Sequence, residues 1–209
     1  MGDKKQQTIT KYLGDMKSVL SHVHAAMELQ KDAFGDKPGV AQPIARIAMS
    51  LKRQEDAIGV RLDALGGSPT HPVKEIVSDA VGVVAGLYNK VRTEGAAKGL
   101  RDDHVALNLL YVSYTTLHTT AVALGDAETA GLAKRFFVEC ARFVTETDHL
   151  VPATVFAELQ DDGLGSLDGA APEQTRSAMR EAWIGPETAE RATRETAAEH
   201  ASERLTVIT

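Results

Sequence analysis

The chain has 209 residues and a mass of 22.4 kDa, enough for one ordinary domain with a tail or at most two small ones. At 43% hydrophobic and 25% charged residues it has globular composition, which excludes global disorder, and no apolar run approaches the length of a membrane-spanning helix. A net charge of −6 argues against nucleic-acid binding, and the single cysteine, Cys140, excludes an intrachain disulfide framework and points to the cytoplasm. The first residues, Met1 to Gln7, lack the apolar stretch of a secretory signal.

From Thr8 to Lys31 the apolar positions Ile9, Leu13, Met16, Leu20, Val23 and Met27 alternate in steps of four and three, which predicts one helix with a continuous stripe. After Gly35 and Gly39, Pro43 suits the first turn of a second helix carrying Ile44, Ile47, Leu51, Ile58, Leu62 and Leu65, ended by Gly66-Gly67. Pro72 opens a third segment through Val73, Ile76, Val77, Ala80, Val84, Leu87 and Val91. Its length favours helix despite Gly82 and Gly86. Asp102 or Asp103 is expected to cap a fourth helix running to Leu124 and Gly125. Val105, Leu107, Leu109, Leu110, Val112, Leu117 and Val122 cover several of its faces, so it should be the most buried element. Asp126 can cap a fifth helix from Ala127, which Pro152 should bend or end.

Beyond residue 159 the composition changes. Gln160 to Gly169 reads as a linker, followed by a short amphipathic piece near Met179 to Trp183 and a polar helix-prone stretch, Glu187 to Arg204. Residues 160–209 hold five Arg against ten Asp and Glu, whereas the preceding 159 hold 18 basic and 19 acidic residues. The acidity belongs to the tail. The expected organisation is therefore an all-α helical bundle in residues 1–159 and an acidic, helix-prone tail in 160–209.

In a helical bundle, metal chemistry would sit on polar residues that fall on apolar stripes. Glu55 lies on the second stripe between Leu51, Ile58 and Leu62. On the last helix Glu139 and Glu146 share a face with Leu132, Phe136, Phe143 and Leu150, and His149 follows Glu146 at Glu-x-x-His spacing. His24 lies at the edge of the first stripe. The candidate metal ligands are thus Glu55, Glu146, His149 and His24. Glu139 has Arg135 and Arg142 in helical reach and reads as a salt-bridged structural residue. His24 and His118 also have the plain reading of half-buried, hydrogen-bonded histidines. His22, His71, His104 and His200 read as surface or cap residues, Cys140 as a core filler, and Tyr111 and Tyr114 as core tyrosines. No phosphate-binding glycine loop, Cys-x-x-Cys pair or His-Glu-x-x-His helix occurs.

Over residues 8–159 the chain resembles the ferritin-like superfamily, and within it small bacterial domains of unknown function. Tyr12-Leu13-Gly14-Asp15-Met16, the run Leu62 to Gly67, and Leu117-His118-Thr119-Thr120-Ala121 to Gly125-Asp126 carry the resemblance. It implies an antiparallel four-helix bundle with an extra crossover helix. It also implies a di-iron site built from one Glu on each of two helices and a Glu-x-x-His on each of two others. Glu146 and His149 match the last of these. Glu55 matches a second, but Ile58 stands where its histidine belongs, and the first and fourth helices supply no matching Glu. The expectation is an incomplete di-iron site.

Three functions compete. The first is a non-catalytic ferritin-like scaffold or stress-associated protein that self-associates and needs no cofactor. The second is a ferritin-like oxidase or ferroxidase holding iron or another divalent metal on Glu55, Glu146 and His149. The third is a cargo or adaptor protein that contacts a partner through residues 160–209. There, Gly163-Leu164-Gly165-Ser166-Leu167 and Leu205-Thr206-Val207-Ile208-Thr209 resemble peptides that load ferritin-like cargo into bacterial nanocompartments. The missing ligands favour the scaffold over an enzyme, and neither a membrane nor a nucleic-acid partner is expected.

Overall fold

The computed structural model describes residues 2–35, 37–67 and 95–184. Five helices are found among them, with no strand: α1 (Asp3–Ala33), α2 (Pro38–Ala64), α3 (Ala96–Leu124), α4 (Ala127–Asp161) and α5 (Ala171–Ile184). The third segment expected at 72–91 and the stretch 187–204 lie outside the described residues. The chain divides into two compact units, Met1–Thr154 and Val155–Thr209.

The first unit is an antiparallel bundle. The Gln6 amide donates to the Leu65 carbonyl at 2.8 Å, which sets the start of α1 against the end of α2. Ser50 and Gln54 reach Glu139 while Arg61 reaches Asp126, so α2 and α4 also run in opposite directions. Tyr111 and Tyr114 pack against Phe137 and Phe136, while His104 near the start of α3 meets Asp148 further along α4. The physical cause is the stripe on each helix. On α1, Ile9, Leu13, Met16, Leu20, Val23 and Met27 are all buried, and α1 packs along α2 and against α3. On α3 the buried positions Leu100, Asp103, Leu107, Leu110, Tyr114, Leu117 and Ala121 alternate in steps of three and four.

Several boundaries differ from expectation. Pro38 rather than Pro43 opens α2, which leaves Pro43 inside the helix. The start of α3 is Gly95 at φ 94, a backbone conformation open to glycine, and Asp102 and Asp103 are buried within the helix instead of capping it. The end of α3 is as expected, at Gly125 with φ 76. Pro152 does not end α4, which continues to Asp161. Its missing N–H removes one hydrogen bond of the ladder, a loss that the flanking turns tolerate.

The fourth sequence segment, α3, is heavily buried, as expected, with eleven buried residues, but its apolar residues do not all face inward. Val112 is 57% and Val122 is 58% exposed, and Val105 is also exposed. Apolar residues on several faces do not decide burial; the positions of neighbouring helices do, and single exposed valines are tolerated. The stripe of α1 is likewise buried along its length. No helix among the described residues is long and apolar enough to cross a membrane.

In the second unit α5 has its acidic Glu173 in the first turn, where Arg176 and Arg180 pair with it at 2.9 and 3.1 Å. Trp183 on this helix is 78% exposed.

Candidate functional site at the bundle centre

The stripe of α2 is interrupted by a polar residue that is 0% exposed, Gln54, three residues after Leu51 and four before Ile58. Its amide joins three helices. The Tyr114 hydroxyl on α3 donates to Gln54 Oε1 at 3.0 Å, and the Cys140 thiol on α4 approaches the same oxygen at 3.8 Å. Gln54 Nε2 donates to Glu139 Oε2 at 2.8 Å, and the Ser50 hydroxyl donates to Oε1 of the same carboxylate at 2.8 Å. The hydrogen bonds all run one way, from the neutral donors toward the Glu139 carboxylate at the margin of the core. A buried amide needs such partners, because an unmade bond there costs the full desolvation of the group.

Burial sets the chemistry of this cluster. It raises the Tyr114 phenol well above its ordinary pKa, with the Cys140 and Glu139 charges adding to the effect. It pushes the Cys140 thiol up to about 12, Glu139 reinforcing the shift and the Gln54 hydrogen bond opposing it. Both groups are therefore neutral near pH 7. Tyr114 also packs on Phe136, with ring centroids 5.6 Å apart. The readings of Cys140 as a core filler and of Tyr114 as a core tyrosine with a satisfied hydroxyl agree with this placement. Tyr111 instead lies at the surface, edge-on to Phe137 at 6.2 Å.

The structure sorts the four candidate ligands into two separate pairs. His24 Nδ1 lies 3.9 Å from Glu55 Oε2 between α1 and α2, with Glu28 4.0 Å from the other ring nitrogen and Lys52 3.9 Å from Glu55. Glu146 is ion-paired with Arg46 on α2, and together with His149 it lines an open groove on the outer side of α3 and α4. Arg46 precedes Glu55 by nine residues, about 13 Å along a helix, so the two pairs are held at different levels of the bundle. Among the described residues, no three of His, Cys, Asp and Glu are grouped so as to hold a metal ion.

Two other polar positions differ from expectation. Glu139 does not pair with Arg135 or Arg142; its partners come from α2, with Arg53 also 3.8 Å away. Facing donors from a neighbouring helix displaced the local ones, and Arg135 lies over the Phe136 ring instead, 5.0 Å from its centroid. His104 is not a free surface residue. Its Nδ1 is 2.7 Å from Asp148 Oδ1, and its Nε2 is 2.8 Å from the Asn108 amide.

Gln54 and Ser50 are residues that a search for carboxylates and imidazoles passes over. A signal existed, since Gln54 lies as near the α2 stripe as Glu55 does. Which margin of the stripe turns toward α3 and α4, and which toward α1, is settled by packing.

Among the described residues, the donor set at the bundle centre does not fit a pair of iron ions. Such a centre is offset by about four carboxylates with two histidines. Here an amide, a phenol and a thiol held neutral surround one carboxylate, and each is hydrogen-bonded to another. Opening this cluster to a cation would leave these neutral donors unpaired and supply little charge in return.

No protein-family model matches the sequence, and no curated protein matches it. Solved structures are similar in fold. One is a protein of Xanthomonas campestris pv. campestris, at TM-score 0.62 and 18% identity over 77% of this chain and 99% of that one. Another is the bacterioferritin of Desulfovibrio desulfuricans, described with a di-iron site in different catalytic states. It matches at TM-score 0.59 and 16% identity, over 77% of this chain and 86% of that one. With its antiparallel helices, this chain has the ferritin-like helical-bundle fold.

Proposed function

We propose that this chain is a non-catalytic ferritin-like scaffold that works through self-association. The observation that carries the reading is Gln54, wholly buried at the bundle centre with both ends of its amide engaged. A hydrogen-bonded network there, with a single carboxylate at its margin, supports a structural role for the core and leaves the outer helix faces to do the work. A second reading, a metal-binding ferritin-like oxidase or ferroxidase, draws on His24 and Glu55, which lie together with Glu28 nearby.

Metal analysis separates the two. The protein is produced in iron-supplemented medium, purified without chelators and measured by plasma mass spectrometry, and the aerobic oxidation of added ferrous iron is followed optically. The scaffold reading expects less than one equivalent of retained iron and no oxidation above the buffer rate. Two irons per chain, or oxidation abolished by Glu55→Ala or Glu146→Ala, overturns it in favour of the metal enzyme.

A further inference from the structure

We infer that the outer face of α4, with the edge of α3 beside it, is a two-fold interface with a second copy of this chain; the inference rests on the self-association reading above. The face is an open groove of about 700 Å³, walled by Tyr111 and Phe137 and by Val138, Ala141, Thr145 and Leu150 along α4. Three charged or titratable residues interrupt this surface: Arg142, Glu146 and His149. Arg142 is exposed and makes no ion pair among the described residues, and Arg46 engages only Oε1 of Glu146.

The order of these residues makes the face complementary to itself. A two-fold interface pairs residue i with j and j with i, so an antiparallel helix pair needs a pattern that reads alike from both ends. On α4 the apolar side chains Val138 and Leu150 stand equidistant from position 144. The opposite charges Arg142 and Glu146 stand equidistant from the same point. Turning a second α4 about an axis there sets Val138 against the partner copy's Leu150 position and Arg142 against its Glu146 position, twice over. Ala141 and Thr145 flank the axis and are small enough for the helices to approach closely. An apolar surface around a pair of reciprocal ion pairs is the composition of a protein interface rather than of an enclosed ligand pocket. The charge order also selects a second copy over an unrelated apolar partner, which has no reason to match both ends.

Cross-linking and charge exchange test this in the full-length chain. Thr145→Cys, beside the axis, should form a disulfide-linked dimer under mild oxidation. Lys134→Cys, ten residues from the axis, would lie about 30 Å from its own copy along the helix direction and should not. The wild type supplies the background, since Cys140 is buried. Arg142→Glu and Glu146→Arg should each lower self-association at least tenfold in sedimentation. Mixed in equal amounts they should dimerise again, because opposite charges then meet at both pairs. Melting curves report whether each variant is folded, and if Glu146→Arg is not, the cross-link carries the test. A wild-type dimer with no Thr145→Cys cross-link overturns this interface and leaves the scaffold reading standing. A chain monomeric at every concentration overturns both.

Discussion

The hydroxyl of Tyr114 donates to the side-chain carbonyl of Gln54 at 3.0 Å, in the middle of a bundle where both residues are 0% exposed. This bond ties α3 to α2, and the remaining amide group of Gln54 ties α2 to Glu139 on α4. One side chain thus links three helices of the bundle.

Truncating it should be costly. Gln54→Ala removes the partner of Tyr114, Cys140 and Glu139 at once and opens a cavity, so a loss of about 3–4 kcal/mol is expected. Tyr114→Phe deletes a single donor and should cost about 1 kcal/mol. Urea unfolding followed by circular dichroism measures both. Equal losses for the two variants would mean that the network does not act through Gln54.

A second anchor lies where α4 begins. Asp126 Oδ1 accepts from the Thr129 backbone N–H at 3.0 Å, Oδ2 accepts from the Thr129 hydroxyl at 2.7 Å, and Arg61 Nη2 reaches both oxygens at 2.8 and 2.9 Å. Burial alone would raise this carboxyl, but the two Thr129 hydrogen bonds and the Arg61 charge outweigh it and hold the pKa below its ordinary value. A depressed folded-state pKa stabilises above the ordinary aspartate value of about 4, and the contribution is lost as pH falls through the lower folded value. Asp126→Asn should therefore cost stability at pH 7 and flatten the acid limb of the melting-temperature profile. Asp126→Ala, which removes both cap and ion pair, should cost about 2–3 kcal/mol. An unchanged acid limb in Asp126→Asn would remove Asp126 from the explanation.

Asp15 on α1 has the opposite sign. Burial raises its carboxyl above the ordinary value, countered only in part by Lys11, and its Oδ1 is buried without a hydrogen-bond partner among the described residues. Below the ordinary pKa the group is neutral in both states and costs nothing through its charge. As pH rises through that value and then through the higher folded one, the penalty for a desolvated carboxylate develops fully. Asp15→Asn should raise the melting temperature at pH 7 and have little effect near pH 3. A stabilisation independent of pH would show that the charge is not its source.

The Cys140 thiol, pushed up to about 12 and buried between Gln54 and the α4 core, should be inert in the folded protein. Its labelling by a disulfide reagent at pH 8 is expected only through unfolding, so the rate should follow the stability of the variants above. Rapid labelling of the native wild type at a rate unrelated to stability would contradict the assigned burial.

The sequence by itself determined the helices, because three-and-four spacing of apolar residues leaves a chain in water only one way to gather them. Ile9 to Met27 and Ile44 to Leu62 were legible in this way, as were the stop at Gly125 and the cap at Asp126, which depend on neighbours within a few residues. Tertiary structure decided what each margin of a stripe meets. Glu55 and Gln54 stand beside one another on α2, yet one meets His24 on α1 and the other is sealed against Tyr114 and Glu139. Arg135 and Arg142 were in local reach of Glu139, and Ser50 and Gln54 took their place from a helix more than eighty residues away in sequence. The valines of α3 face outward for the same reason. Hydrophobic periodicity is a local property of the chain, whereas the partner of a polar group and the burial of a given face depend on how helices distant in sequence are set side by side.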